Sequence, residues 1–348
     1  GLTGFSYAEL AAAIPRAGAE YVYLARALPR RRWAGFLTGF LTIVSGITTV
    51  ATVSLAFGGY ATLFVDLPVM ASAAILILVC TLLNIGGIRE SSWVNIVLTS
   101  IEVLGLLLVI TLGVQAEFPP EGFLEVTPAV LGGAAIIFFV YTGFEDLANL
   151  SEEAREPGRD LPRALFICLA ITTVLYVLVA LSALALVPAD QLAASDSPLA
   201  LAAGQVSPRY AAALGYIALV STANTGLIAA IATSRMIYGM AKGGEFPPAL
   251  ARTLPVRQTP WMAALVVFVG GALFLPLGTV AAVASVSSFA ALLAFVAVNL
   301  AAILLRYSEP GLERPFRIPW TIRRVPVPSA LGILATLALV IQFDRNVY

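Results

Sequence analysis

Between Arg257 and Arg306 the chain runs for 48 residues (258–305) without one charged side chain. In soluble domains about a quarter of all residues are charged, so a run of this length has no place on a solvated surface. A helix crossing the hydrocarbon of a bilayer needs ~20 mostly apolar residues. The run is too long for one crossing and long enough for two, and Pro276-Leu277-Gly278 supplies a tight turn that divides it. Windows of the same kind recur at 33–65, 67–88, 91–116 (interrupted only by Glu102), 126–144, 164–189, 210–234 and 325–343. With residues 1–14 as the second half of an earlier helix, the pattern predicts nine full spans and one partial span. The expected architecture is an all-α integral membrane bundle in which residues 1–348 form a single transmembrane domain.

Composition agrees with that reading and removes several chemistries. The 348 residues are 59% hydrophobic and 11% charged, and contain no histidine. Imidazole metal sites and histidine-based catalytic triads are therefore excluded, and proton chemistry falls to carboxylates, Lys or Tyr. Cys80 and Cys168 each sit inside an apolar span and read as small buried hydrophobes. A formal net charge of zero gives no reason to expect a nucleic-acid partner. No nucleophile–base pair or metal-ligand set is evident, so the chain is not expected to be an enzyme or to carry a cofactor. The partners expected are the lipid bilayer and a small transported molecule; the oligomeric state is left open. The chain starts at Gly1 inside an apolar helical pattern and stops at Tyr348 directly after a span, which reads as a piece of a longer protein.

Cations set the orientation. Eighteen of the twenty Lys and Arg residues fall in alternate connections: 15–32, 85–92, 151–163, 235–257 and 306–324. The opposite set holds only Arg209 and Arg345. By the positive-inside rule the cation-rich connections are cytoplasmic, in a multi-pass protein of the cell membrane. The other side carries short or mildly acidic connections: Asp66, Glu117 to Glu121, and Pro188 to Pro208, where residues 196–203 suggest a short surface helix.

Polar residues inside the spans mark the candidate site. The stretch Phe138-Phe139-Val140-Tyr141-Thr142-Gly143-Phe144-Glu145-Asp146 ends an apolar run, breaks at a glycine and adds two carboxylates. Such an interruption is costly in hydrocarbon and is the mark of a site. Where a span opens, freed carbonyls suit an ammonium and a helix N-terminus suits a carboxylate, so a zwitterion matches both. Adjacent acids on a helix point about 100° apart, which rules out a shared-proton dyad of Glu145 with Asp146. Asp146 reads as a cap of the helix that resumes, and Glu145 as the functional acid; Glu152 and Glu153 read as a solvated helix face. Glu102, within the span 91–116, is either a neutral acid bonded to a neighbouring helix or a titrating group in a coupling path. Asn224, in Ser221-Thr-Ala-Asn-Thr-Gly226, is either packing glue or the lining of a substrate or ion path. Ser45 to Thr49 and Ser285 to Ser288 read as close helix packing.

Four segments carry a family resemblance. Phe138 to Asp146 followed by Ser151-Glu-Glu-Ala-Arg-Glu-Pro-Gly-Arg-Asp-Leu-Pro-Arg163 resembles the sixth span and next loop of amino acid permeases of the amino acid–polyamine–organocation superfamily. Ser6-Tyr-Ala-Glu-Leu-Ala-Ala-Ala-Ile-Pro-Arg-Ala-Gly-Ala-Glu-Tyr-Val-Tyr23 resembles the end of their second span. Ser234 to Pro248 resembles the end of the eighth, and Arg314-Pro-Phe-Arg-Ile-Pro319 the loop before the eleventh. The resemblance implies a leucine-transporter-like inverted repeat of five plus five helices, with the first and twelfth spans outside these residues. It implies that Phe139 gates the substrate, that Val140, Tyr141 and Thr142 meet the substrate amine, and that Gly143 makes the break; the residues themselves add Phe144, an aromatic beside the break, and Asn224 as substrate-site candidates. It also implies that Glu145 acts in gating or proton sensing. Sodium-independent relatives place a Lys where Glu102 stands, a departure that makes Glu102 a second coupling candidate. The function implied is proton-coupled secondary transport of an amino acid by alternating access. The alternatives are a sodium-coupled symporter, an amino acid or polyamine exchanger, and a non-transporting sensor.

Overall fold

A computed structural model describes residues 1–16, 18–87, 92–116, 129–149, 154 and 156–343. In chain order the helices are α1 (Leu2–Ala13), α2 (Ala19–Ala27), α3 (Arg32–Ala61), α4 (Val69–Gly86) and α5 (Ser92–Val114). Next come α6 (Ala129–Ile137), α7 (Asp146–Asn149), α8 (Pro157–Leu186), α9 (Ala189–Ala194) and α10 (Pro198–Gly204). The last four are α11 (Pro208–Lys242), α12 (Trp261–Phe274), α13 (Val280–Ser308) and α14 (Val327–Val340). Among the described residues the only sheet is a two-residue hairpin pairing Thr321–Ile322 with Val325–Pro326. The architecture is an all-α membrane bundle.

Every apolar window produces a helix. Among the described residues six helices, α3, α4, α5, α8, α11 and α13, are long and apolar enough to cross a membrane. The shorter α12 and α14 and the interrupted α6–α7 segment fill the remaining three windows. The 48-residue run divides where the sequence places its turn: a short 3-10 helix at Leu275–Leu277 ends on Gly278 in a left-handed conformation (φ +79°). Pro198–Gly204 forms the expected short helix on the connection 188–208, preceded by α9, which the sequence did not signal.

The centre of the bundle is α3, which packs against α4, α11 and α13. Lipid tails are as apolar as the helices, so close approach and buried hydroxyl bonds hold spans together where hydrophobic burial cannot. A Cβ added to Gly46 on α3 would collide with the Thr233 side chain on α11. The Ser45 and Thr49 hydroxyls each lie 3.1 Å from the Ser287 hydroxyl of α13. The Asn84 amide of α4 donates to the Ser234 hydroxyl of α11 at 3.1 Å. These clusters serve packing, as the small-residue stretches suggested. α8 lies at the periphery, with Ile167, Ile171, Val174 and Val177 facing outward. Cys80 is buried as expected, but Cys168 is exposed on this outer face, because α8 turns most of its surface away from the bundle.

The connection 15–32 is not the plain loop that its five Arg residues suggested. It folds into α2, which packs on α3 and α13 and buries Glu20 and Tyr23 almost completely. A second buried acid, Glu9 of α1, accepts from the Arg306 guanidinium (Nε at 3.0 Å), lies 3.3 Å from Arg314 Nε, and accepts the Ile318 amide at 2.7 Å. Two guanidiniums and an amide compensate its desolvation. This clamp ties α1 to α13 and to the connection that follows. The segment Glu117–Glu121 and residues Arg89, Glu152, Glu153, Arg155 and Arg345, all used in the sequence reading, lie outside the described residues.

Candidate functional site

The helical run entered at α6 fails where the sequence places the break. After Ile137 the chain tightens into a 3-10 turn over Phe138–Tyr141, and Thr142 then extends (ψ 150°). Gly143 follows at φ +108°, and α7 starts at Asp146. A Cβ on Gly143 would meet nothing within 4 Å, so the backbone angle, not space, requires glycine. The turn's remaining bonds run from Thr142 N–H to the Phe139 carbonyl and from Asp146 N–H to the Gly143 carbonyl. The Thr142 hydroxyl also donates to the Phe139 carbonyl, at 2.6 Å. The Val140, Tyr141 and Thr142 carbonyls receive none of these bonds. Glu145 folds its carboxylate back onto the break and accepts the Gly143 amide at 2.8 Å. Asp146 sits at the first position of α7, where a carboxylate favours the helix N-terminus.

The side chains of the break divide by environment. Phe144 is buried and packs edge-on against Tyr7 of α1 (ring centroids 5.4 Å apart), with Phe295 of α13 at 5.3 Å. Phe138 also meets Phe295, at 5.5 Å. These two rings anchor the segment on either side of the turn. Phe139 is half-buried and Val140 is exposed. Tyr141 reaches the other way, meeting Tyr176 of α8 edge-on with centroids 5.6 Å apart.

Two polar clusters flank the break. On one side, the Glu102 carboxyl of α5 faces Ser221 and Asn224 of α11, and Tyr176 lies within range of the Glu102 charge. Asn224 is 8% exposed; its Oδ1 and Glu102 Oε1 are buried with no hydrogen-bond partner. Asn224 thus faces Glu102, and Tyr141 meets Tyr176, a ring that the sequence did not single out. A Tyr within an apolar span on a four-residue period is indistinguishable from packing. On the other side lie Tyr7 and Glu20. The Tyr7 hydroxyl donates to Glu20 Oε1 at 3.2 Å, and its phenol senses the charges of both Glu20 and Glu145. Glu145 feels Asp146 and, less strongly, Glu20. Among the described residues, the break leaves the Val140, Tyr141 and Thr142 carbonyls outside the turn's backbone bonds, with half-buried Glu102 on one flank and buried Glu20 on the other.

Comparison with known proteins adds independent information. The sequence profile of the family described as amino acid permease matches residues 1–343. The chain is 28% identical over 363 residues to a branched-chain amino acid permease of Bacillus subtilis, covering 97% of this chain and 77% of that protein. It is 28% identical over 357 residues to a methylthioribose transporter of the same species, covering 94% of this chain and 76% of that one. A vacuolar cationic amino acid transporter of Arabidopsis thaliana is 32% identical over 341 residues, which cover 89% of this chain and 56% of that protein.

Proposed function

This chain belongs to the amino acid permease family, and from that premise we propose that it works as a proton-coupled secondary transporter of an amino acid. The protein is a transporter rather than an enzyme, and membrane transport of amino acids is the family's activity. The observation that carries the finer reading is the break itself. Three consecutive carbonyls, Val140 to Thr142, receive no bond from the turn's backbone amides. An α-ammonium group supplies the three donors that such carbonyls lack. The side-chain class of the substrate is left to measurement, because relatives named for branched-chain and for cationic amino acids match this chain alike.

In this reading the substrate sits against residues 139–145, with Phe139 closing over it and Tyr141 fixed by Tyr176. Alternating access follows from movement of the two half-helices about Gly143, the residue whose φ only glycine adopts easily. Glu145 and Glu102 carry the coupling proton in this scheme. Both are half-buried carboxyls, and protonation changes the charge that the site presents. The cation-rich connections face the cytoplasm of a cell-membrane protein.

Uptake by the full-length protein in liposomes, with and without an imposed pH gradient, tests the proposal. An inward proton gradient should drive accumulation of the amino acid, and Glu145→Gln or Glu102→Gln should abolish that response. Accumulation that follows a sodium gradient and ignores pH would replace the proton with sodium. If both variants respond like the wild type, neither acid is the coupling group.

A further inference from the structure

Glu20 lies in the cation-rich connection 15–32. In the structure it is 1% exposed and is linked to the break through Tyr7. Its carboxylate accepts from the Tyr7 hydroxyl, and Tyr7 in turn packs its ring on Phe144, the residue next to Glu145. Tyr23, on the same helix as Glu20, is fully buried with its hydroxyl unpartnered, and it lies in the field of Glu20. Burial and the neighbouring Glu20 charge both push the Tyr23 phenol up, so it remains a neutral donor. A buried donor without an acceptor next to a buried carboxylate calls for a functional explanation.

We propose that Glu20 is the second half of the proton site, and that Glu20 and Glu145 together hold the coupling proton. This rests on the proton-coupled reading given above. The groups facing the pair can be named element by element: Tyr7 from α1, Tyr23 from α2 and Asp146 from α7. From α8 and α13, Leu161, Leu165, Phe295 and Val298 are among the apolar side chains of the same core. Glu9, also on α1, is held by Arg306 and Arg314. With both carboxyls ionised, two like charges share a site of low polarity and repel. Uptake of one proton leaves a single negative charge, which the Tyr7 and Tyr23 hydroxyls and the Gly143 amide can solvate. The bound proton therefore favours docking of α7 against α1, where Phe144 packs on Tyr7, and its release drives α7 away from α1. In this way one proton, taken up on one side and given back on the other, switches the cytoplasmic side of the break.

The test is the pH profile of amino acid uptake by the full-length protein in liposomes, normalised to each variant's own maximum. In the wild type, uptake should respond to an imposed proton gradient. Glu20→Gln should move the midpoint toward acid, because a proton on Glu145 is no longer favoured by a negative neighbour, and should bring the ratio of uptake with and without the gradient toward one. Glu20→Asp should restore a gradient response. Tyr7→Phe keeps the ring against Phe144 and loses only the hydroxyl, so it should shift the midpoint even if Glu20→Gln does not fold. A wild-type profile in both Glu20→Gln and Tyr7→Phe, with Glu145→Gln altered, overturns the role of Glu20 and leaves the transport reading standing. A wild type that accumulates amino acid without any response to pH overturns both.

Discussion

At Gly143 the backbone takes φ +108° in a space that has room for a larger side chain. Gly143→Ala therefore acts through conformation alone, at a cost of about 1–3 kcal/mol for holding alanine in a region it rarely occupies. The expected outcome is a protein that inserts and purifies but loses most of its uptake, measured in liposomes beside a size-exclusion profile. Wild-type uptake would show that the break does not need this geometry. Glu9 predicts the opposite kind of effect. Glu9→Gln leaves Arg306 and Arg314 in buried positions without their counter-charge (side chains 13% and 7% exposed). Removing one partner of such a buried pair costs about 3–5 kcal/mol, read as a lower melting temperature in detergent. Glu145 and Glu102 stood out in the sequence because an acid in an apolar run is conspicuous. Glu9 and Glu20 did not, because both lie close to the cation-rich connection 15–32, where acids are ordinary. Their burial depends on α2 folding back and on cations about 300 residues away in sequence. No local pattern encodes that.

Among the elements, the spans, the short helix Pro198–Gly204 and the turn at Gly278 were legible, and the remaining structure of the connections was not. Spans announce themselves by length and by the absence of charge, whereas α2, α9 and the hairpin at 321–326 are too short to show an apolar period. The packing of α3 on α11 gives the sharpest test at this scale. Gly46→Ala pushes a methyl group into Thr233 and should cost about 1–3 kcal/mol by overpacking. Replacing Thr233 by Ala in the same chain removes the Oγ1 that the added methyl group strikes and should recover part of the loss; the absence of any recovery in thermal unfolding would contradict this contact. α2 is also pinned at its end, where Arg26 grips Glu309 at 2.7 and 2.9 Å. The Arg26 hydrogen bonds hold the Glu309 carboxyl below its usual range. Its contribution is present at neutral pH and is lost as pH falls through that lowered value. Both side chains are partly exposed (40% and 33%), so the pair is worth at most about 1 kcal/mol. Arg26→Gln should remove this acid-dependent increment and little else.

For the whole molecule, the sequence carried the all-α membrane architecture and one flank of the site, while the facing of Glu102 with Asn224 and of Tyr141 with Tyr176 needed three dimensions. Orientation can be checked directly. A cysteine at Val256, 92% exposed in a cation-rich connection, should react with a membrane-impermeant thiol reagent only in inside-out vesicles. One at Asp66 should react only in right-side-out vesicles, and the reverse pattern would invert the topology. The central claim is that an amino acid is held at the break between α6 and α7. Its most direct measurement is substrate protection of Thr142→Cys in a full-length protein whose Cys80 and Cys168 are replaced by Ala. Labelling of that thiol should slow as the transported amino acid saturates and return to its original rate when the amino acid is removed. Labelling at one rate with and without a saturating substrate would place the binding site elsewhere.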